Sequence, residues 1–201
     1  GAIYSNDGAD LKAYSSLFTG NVNGETMDVT SSGSVVYSQS SKVTLVNSTI
    51  ASNYSYHNYS DQYGAAVNNR DADLIIRNCI IWENHGKYQI RSANGVEDVT
   101  NSNVQGGFTG SGNMDVIPLF LDPVTTSSTP STGGNYRLWG NSPVNNKGVN
   151  TALPEDIHDL DNDGDTEEPL PYDLNGKERV FAGVVDMGCY EQQFETVSGN
   201  Q

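Results

Sequence analysis

The densest chemistry in this chain of 201 residues lies at residues 155–168, EDIHDLDNDGDTEE, where eight carboxylates occur with no Lys or Arg among them. Charges at that density repel unless solvent or a cation separates them. Asp159, Asp161 and Asp163 alternate and Gly164 follows, which matches the first half of a calcium loop, with ligands at positions 1, 3 and 5 and the turn glycine at 6. Asp165 would offer its backbone carbonyl at position 7, and Glu167 falls at position 9. Leu170 stands at position 12, where an EF-hand has Glu, so the pattern is not an EF-hand. Hard carboxylate oxygens around a Gly turn still suit Ca²⁺. The expectation is one structural Ca²⁺ held by Asp159, Asp161, Asp163 and Glu167 with the Asp165 carbonyl, and His158 as a spectator.

A second candidate is aromatic. Residues 53–63, NYSYHNYSDQY, carry Tyr54, Tyr56, Tyr59 and Tyr63 with His57. Flat rings beneath pyranose faces, with amides for the hydroxyls, are what sugar recognition uses. The competing reading is a loop that packs its rings on the flank of the fold. A third candidate, for glycosidic chemistry, is the pair Asp71 and Asp73, with Arg70 and Arg77 nearby. Two residues apart on a strand, the two Asp would share a face at about 7 Å. The preceding repeat aligns Ser40 and Lys42 with them, so the ladder of mixed surface charge is the favoured reading. No nucleophile motif, phosphate loop or zinc spacing occurs.

The chain that positions these groups is repetitive. Residues 64–85, GAAVNNRDADLIIRNCIIWENH, align without gaps with residues 1–22, 33–54 and 87–108. One column holds Leu11, Val43 and Leu74, and lapses to Glu97. The next apolar column holds Ala13, Leu45, Ile76 and Val99, and another holds Phe18, Ile50, Ile81 and Val104. Between them run Ser15, Asn47, Asn78 and Asn101, and beside those Ser16, Ser48, Cys79 and Ser102. The alternation has period 2, and 22 residues are too few for the paired helices of ankyrin or tetratricopeptide repeats. Short strands stacked in parallel fit instead. Asn47, Asn78 and Asn101 are expected to stack inward as an amide ladder, in the left-handed backbone that Asn tolerates. Repeat starts 32, 31 and 23 residues apart leave insertions at 23–32 and 55–63, expected side by side on one face, which solenoids often use for binding.

The strings NSTI at 47–50 and NCII at 78–81, each after an alternating strand and an upstream Gly, resemble right-handed parallel β-helix repeats. That superfamily includes pectate-lyase-like enzymes, phage tailspikes and large bacterial surface proteins. Further on, GNMDVIPLFLDP at 112–123, NYRLWGNSPVNNKGV at 135–149 and DLNGKERVFAGVVDMGCYE at 173–191 resemble, in order, the C-terminal "choice-of-anchor Q" region of secreted bacterial β-helix proteins. Ile117, residues 144–146 and Cys189 depart from its usual pattern. The resemblance implies a last irregular coil, a cap and export to the bacterial cell surface, and no chemistry.

The expected organisation is all-β: coils of a right-handed parallel β-helix over 1–123, a Ser/Thr-rich loop at 124–134, a cap at 135–194 and a tail at 195–201. Gly1 falls inside a repeat, so further coils are expected upstream. A formal net charge of −15 argues against nucleic acid and anionic membranes as partners. No apolar run is long enough for a transmembrane helix. Two cysteines, Cys79 and Cys189, are too few for a disulfide framework, and sequence leaves open whether they pair. The functional expectation is a secreted adhesin or glycan-binding structural module. The alternatives are a polysaccharide lyase or glycoside hydrolase with catalytic coils upstream, or a virion-associated spike.

Overall fold

The computed structural model describes residues 2–23, 35–56 and 65–193. Each repeat folds as short strands separated by kinks of two or three residues. The first gives β1 (Ile3–Asn6), β2 (Asp10–Tyr14), β3 (Leu17–Thr19) and β4 (Val22–Asn23). The second gives β5 (Val36–Gln39), β6 (Lys42–Val46), β7 (Thr49–Ala51) and β8 (Tyr54–Ser55). The third gives β9 (Ala65–Arg70), β10 (Asp73–Arg77) and β11 (Ile80–Trp82), and the fourth β12 (Tyr88–Ala93), β13 (Glu97–Thr100) and β14 (Asn103–Val104). Like strands pair in parallel across repeats, giving three four-stranded sheets, β1-β5-β9-β12, β13-β10-β6-β2 and β14-β11-β7-β3. The chain is therefore all-β with stacked parallel sheets, compatible with a β-helix-like fold.

The kinks explain the polar columns. Ser15, Asn47, Asn78 and Asn101 all have φ between 42° and 54°, the left-handed region, so the column marks the bend between the second and third sheets. The apolar columns meet in one core to which all three sheets contribute: Val36 and Val67, then Leu45 and Ile76, then Ile50 and Ile81. Burying each such side chain contributes about 1.5–3 kcal/mol.

The gapless alignment holds for the second and third sheets but slips in the first. Leu11 pairs with Val43, 32 residues on, whereas Ile3 pairs with Val36, 33 residues on. The extra residue of the first repeat is absorbed at the turn, where Asp7 and Gly8 both have positive φ. The insertion at 23–32 lies, after Asn23, outside the described residues, as does the one at 55–63 from His57 onward.

Beyond the fourth repeat, Ser111 and Met114 bond to its edge through Asn101 N to Ser111 O at 2.9 Å and Met114 N to Ser102 O at 2.9 Å. The chain then leaves the stack. β15 (Phe120–Asp122) pairs antiparallel with β16 (Asn135–Leu138). A second core follows, in which Phe120, Tyr136, Leu138, Val144 and Met187 pack on Ala51, Ile80 and Trp82 of the third sheet. This explains why β11 is buried on both faces: Ile81 points to the first core and its two neighbours to the second.

Candidate metal site and adjacent surfaces

The acidic segment is a loop closed at its neck. Asp156 N donates to Glu168 O at 2.8 Å, Leu170 N to Pro154 O at 2.8 Å, and Glu155 and Pro169 form an antiparallel bridge. Inside, Asp159, Asn162 and Gly164 adopt positive φ. Carboxylates cap the turns: Asp159 Oδ1 accepts from Gly164 N at 3.2 Å, and Asp163 Oδ1 from Asp165 N at 2.8 Å. Oxygens of Asp159, Asp161 and Asp163 come within 4.8 Å of one another, and so do those of Asp156, Asp161 and Glu168. Oxygens sharing one Ca²⁺ at about 2.3–2.6 Å lie no more than about 5 Å apart, so either triad has suitable spacing. Asp165 and Glu167 belong to neither triad; the Asp165 carboxylate instead accepts the Glu167 N–H at 2.9 Å. Desolvation, then the negative charges of Asp161, Asp163, Asp165 and Asp156, push the Glu168 carboxyl up from its ordinary range. His158 is in neither group.

Just beyond the loop, Arg179 N donates to Pro171 O at 2.7 Å, which links it to a buried charged cluster. Arg179 is fully buried and bonds Glu191 Oε2 at 2.9 Å and the Gly188 carbonyl at 3.2 Å. Asp186 accepts from Asn146 N and Gln192 N, both at 2.6 Å. Burial and then the neighbouring Asp186 charge raise Glu191 to about 7, and burial raises Asp186 as well. The single Arg179 guanidinium, bonded to Glu191, offsets this only in part, so both carboxyls stay above the usual carboxylate range. Asp173 Oδ1 holds the Asn175 and Lys177 N–H groups at 2.8 Å each, and its Oδ2 holds the Glu191 N–H at 2.9 Å. Gly188, at φ 93°, lies so close to Ile80 and Thr49 that a Cβ would meet them at 2.8 Å.

This cap explains the asparagine column. Asn47 and Asn78 are buried and linked, Nδ2 of Asn78 to Oδ1 of Asn47 at 3.2 Å. They face the cap rather than the apolar core: Asn47 Nδ2 reaches Asp186 O at 3.1 Å, and Asn78 bonds Val149 through Oδ1 at 2.9 Å and Nδ2 at 3.0 Å. Asn101 is half-buried and its side chain makes no bond to Asn78. A continuous amide ladder runs instead through Asn21, Asn53 and Asn84, with Asn21 Nδ2 to Asn53 Oδ1 at 2.9 Å and Asn53 Nδ2 to Asn84 Oδ1 at 2.7 Å. The serine column makes another: Ser16 N donates to Ser48 Oγ at 3.2 Å, Cys79 N to Ser102 Oγ at 3.0 Å and Ser102 N to Asn113 Oδ1 at 3.0 Å. Cys79 and Cys189 are both free and buried, and desolvation pushes their thiols up to about 12 and about 11.

Of the aromatic residues, Tyr54 stacks on His85 at 4.2 Å between ring centroids and meets Tyr56 edge-on at 4.9 Å. Tyr56 is exposed. His57, Tyr59 and Tyr63 lie outside the described residues. Asp71 and Asp73 border a shallow groove of about 510 Å³ along the turns between the first two sheets. Asp71 sits in the turn and accepts from Asn94 Nδ2 at 3.0 Å, while Asp73 opens β10 and accepts from Val96 N at 3.1 Å.

Sequence reasoning passed over a cleft of about 530 Å³ in the cap, bordered by Arg137, Trp139, Asn175, Lys177, Tyr190 and Gln193. Trp139 is 54% exposed. The Arg137 guanidinium lies 4.9 Å from the Tyr190 ring centroid and bonds Asn175 Oδ1. Gln192 Nε2 donates to Leu138 O at 2.9 Å and fastens the far wall to β16. The signal was a Trp inside YRLWGNS, flanked by polar residues where a second core needs only Tyr136 and Leu138.

No family model matches the chain, no curated protein is similar to it, and no solved structure matches it.

Proposed function

We propose that this chain is a right-handed parallel β-helix module of a secreted bacterial surface protein, stabilised by Ca²⁺ in its cap, that acts as an adhesin or glycan-binding structural element. Right-handedness follows from the general preference of parallel crossovers. The order of the cap segments supports a choice-of-anchor Q-like end. Hard oxygen donors without His or Cys support calcium.

The single observation that carries the binding reading is the cap cleft. Its volume is within the range of about 300–1,000 Å³ typical of small-ligand sites. It combines an exposed indole face with amides and two cations, fixed on backbone that Asp173 and β16 hold in place. Such a surface suits a saccharide, ring against Trp139 and hydroxyls to Asn175 and Gln193. Tyr54 is already engaged by His85, so the tyrosine loop is the lesser candidate face.

The test is a glycan array probed with wild-type protein, Trp139→Ala and the Tyr54→Ala/Tyr56→Ala double variant. The cleft reading expects Trp139→Ala to lower retention about tenfold or more, as loss of a Trp anchor does. Loss of retention in the tyrosine variant alone would move the site to the loop, and no retention of wild type would reject glycan binding. The groove beside Asp71 and Asp73 favours a second reading, polysaccharide cleavage, with the active coils mostly outside these repeats.

A further inference from the structure

We propose that the neck of the acidic loop, rather than its tip, holds one Ca²⁺ between the carboxylates of Asp156, Asp161 and Glu168. This deepens the calcium reading above and rests on it. The alternating Asp159, Asp161 and Asp163 form the tip, and their pattern draws attention first. The geometry favours the other triad.

Asp156 is only 1% exposed. Its Oδ2 accepts the Leu160 N–H at 2.6 Å, yet its Oδ1 is buried with no hydrogen-bond partner. Glu168 Oε1 is likewise buried without a partner. Both side chains stand at the closed neck, where Asp156 N and Glu168 O bond, and Asp161 reaches in so that all three offer an oxygen within 4.8 Å. A buried, unpartnered carboxylate oxygen costs desolvation that nothing in the loop returns. The segment has no Lys or Arg, and no ion pair among the described residues involves it. A cation between the three answers the orphaned oxygens and the charge together.

At the tip, by contrast, neither Asp159 nor Asp163 has a buried oxygen without a partner; both accept backbone N–H groups, as Asp161 also does, and Asp163 is exposed. The neck set is all oxygen, which selects a hard ion. Its irregular, turn-rich frame suits Ca²⁺, which tolerates variable geometry, better than Mg²⁺, which requires a near-ideal octahedron. An ion there would clamp the two arms of the loop beside Pro169, two residues before the Pro171 carbonyl that receives the Arg179 N–H at 2.7 Å. The site would thereby fasten the loop to the buried Arg179–Glu191 pair.

The experiment is calorimetric titration of the metal-stripped full chain with CaCl₂, for wild type, Asp156→Asn, Glu168→Gln and Asp163→Asn, with circular dichroism as the check on folding. The proposal expects one Ca²⁺ per wild-type chain. Asp156→Asn and Glu168→Gln should weaken it about tenfold or more, because the ligand charge count sets affinity, and Asp163→Asn should leave it within about threefold. Should Asp156→Asn fail to fold, Glu168→Gln decides alone. Binding abolished by Asp163→Asn but kept in Glu168→Gln would overturn the neck site and leave calcium at the tip. No binding by wild type at millimolar Ca²⁺ would overturn the calcium reading itself.

Discussion

Arg179 is fully buried; its guanidinium bonds the Glu191 carboxylate and the backbone carbonyls of Gly188, Asp186 and Tyr190, and the buried Asp186 carboxyl lies in the same cluster. Replacing it with Met removes the only positive charge of the cluster and leaves two buried carboxyls. Loss of one partner from a buried pair costs about 3–5 kcal/mol, and urea denaturation of Arg179→Met should show a loss of that size. The same cluster predicts a pH dependence. Glu191 has an ordinary value of 4.5, its value in the unfolded chain, and about 7 when folded. Between those values the folded state binds more protons, so its contribution to stability is greatest below 4.5 and declines as pH rises to about 7. Asp186 and Glu168 are shifted in the same direction, so denaturation midpoints in EDTA should fall from pH 5 to pH 8. At this scale the sequence was partly legible. The Asp173, Arg179, Asp186, Gly188 and Glu191 motif could be seen, but its role could not, because its long-range bonds, Glu191 N to Asp173 and Gly188 N to Asn78 O among them, join residues brought together only by the fold. The asparagines show the same limit. Asn47 and Asn78 have the left-handed backbone read from their column, yet their amides serve the cap. The Asn21, Asn53 and Asn84 column, equally visible in the alignment, carries the repeat-to-repeat ladder. Asn53→Ala should leave buried amide and carbonyl partners unpaired on both sides and cost about 1–3 kcal/mol, more than Asn101→Ala at its half-buried position.

Among the elements, period-2 patterning fixed the type and pairing of the repeat strands, since a one-residue slip would turn every apolar side chain outward. The exception proves informative: the first sheet does slip by one between its first two strands, and the extra residue is absorbed at Asp7 and Gly8, which take positive φ. A turn can absorb a residue without disturbing the strands on either side, so a gapless alignment hides it. The second core was illegible because it is non-local; nothing in the third sheet's sequence announces that Ile80 and Trp82 will meet Phe120 and Met187. Gly188 is the contact point of that docking, with its N–H on Asn78 O at 2.7 Å. Gly188→Val should therefore lift the cap from the third sheet, exposing Trp82 and shifting its fluorescence to the red in a variant that also carries Trp139→Phe. An unshifted spectrum would mean the contact is not obligatory.

For the molecule as a whole, a net charge of −15 concentrates repulsion in the acidic loop, and a cation that binds only the folded chain raises stability with its concentration. Thermal melting should therefore give a higher midpoint in Ca²⁺ than in EDTA, and equal midpoints would count against a stabilising ion. The central claim is that this stack and its cap bind polysaccharide without cutting it. The most direct measurement incubates the protein with a panel of neutral and acidic polysaccharides in Ca²⁺ and reads retention together with new reducing ends and unsaturated products in the same samples. The account predicts retention of at least one polysaccharide with no product formed. Release of cleavage products, abolished by Asp71→Asn or Asp73→Asn, would contradict it and assign the turn groove a catalytic role.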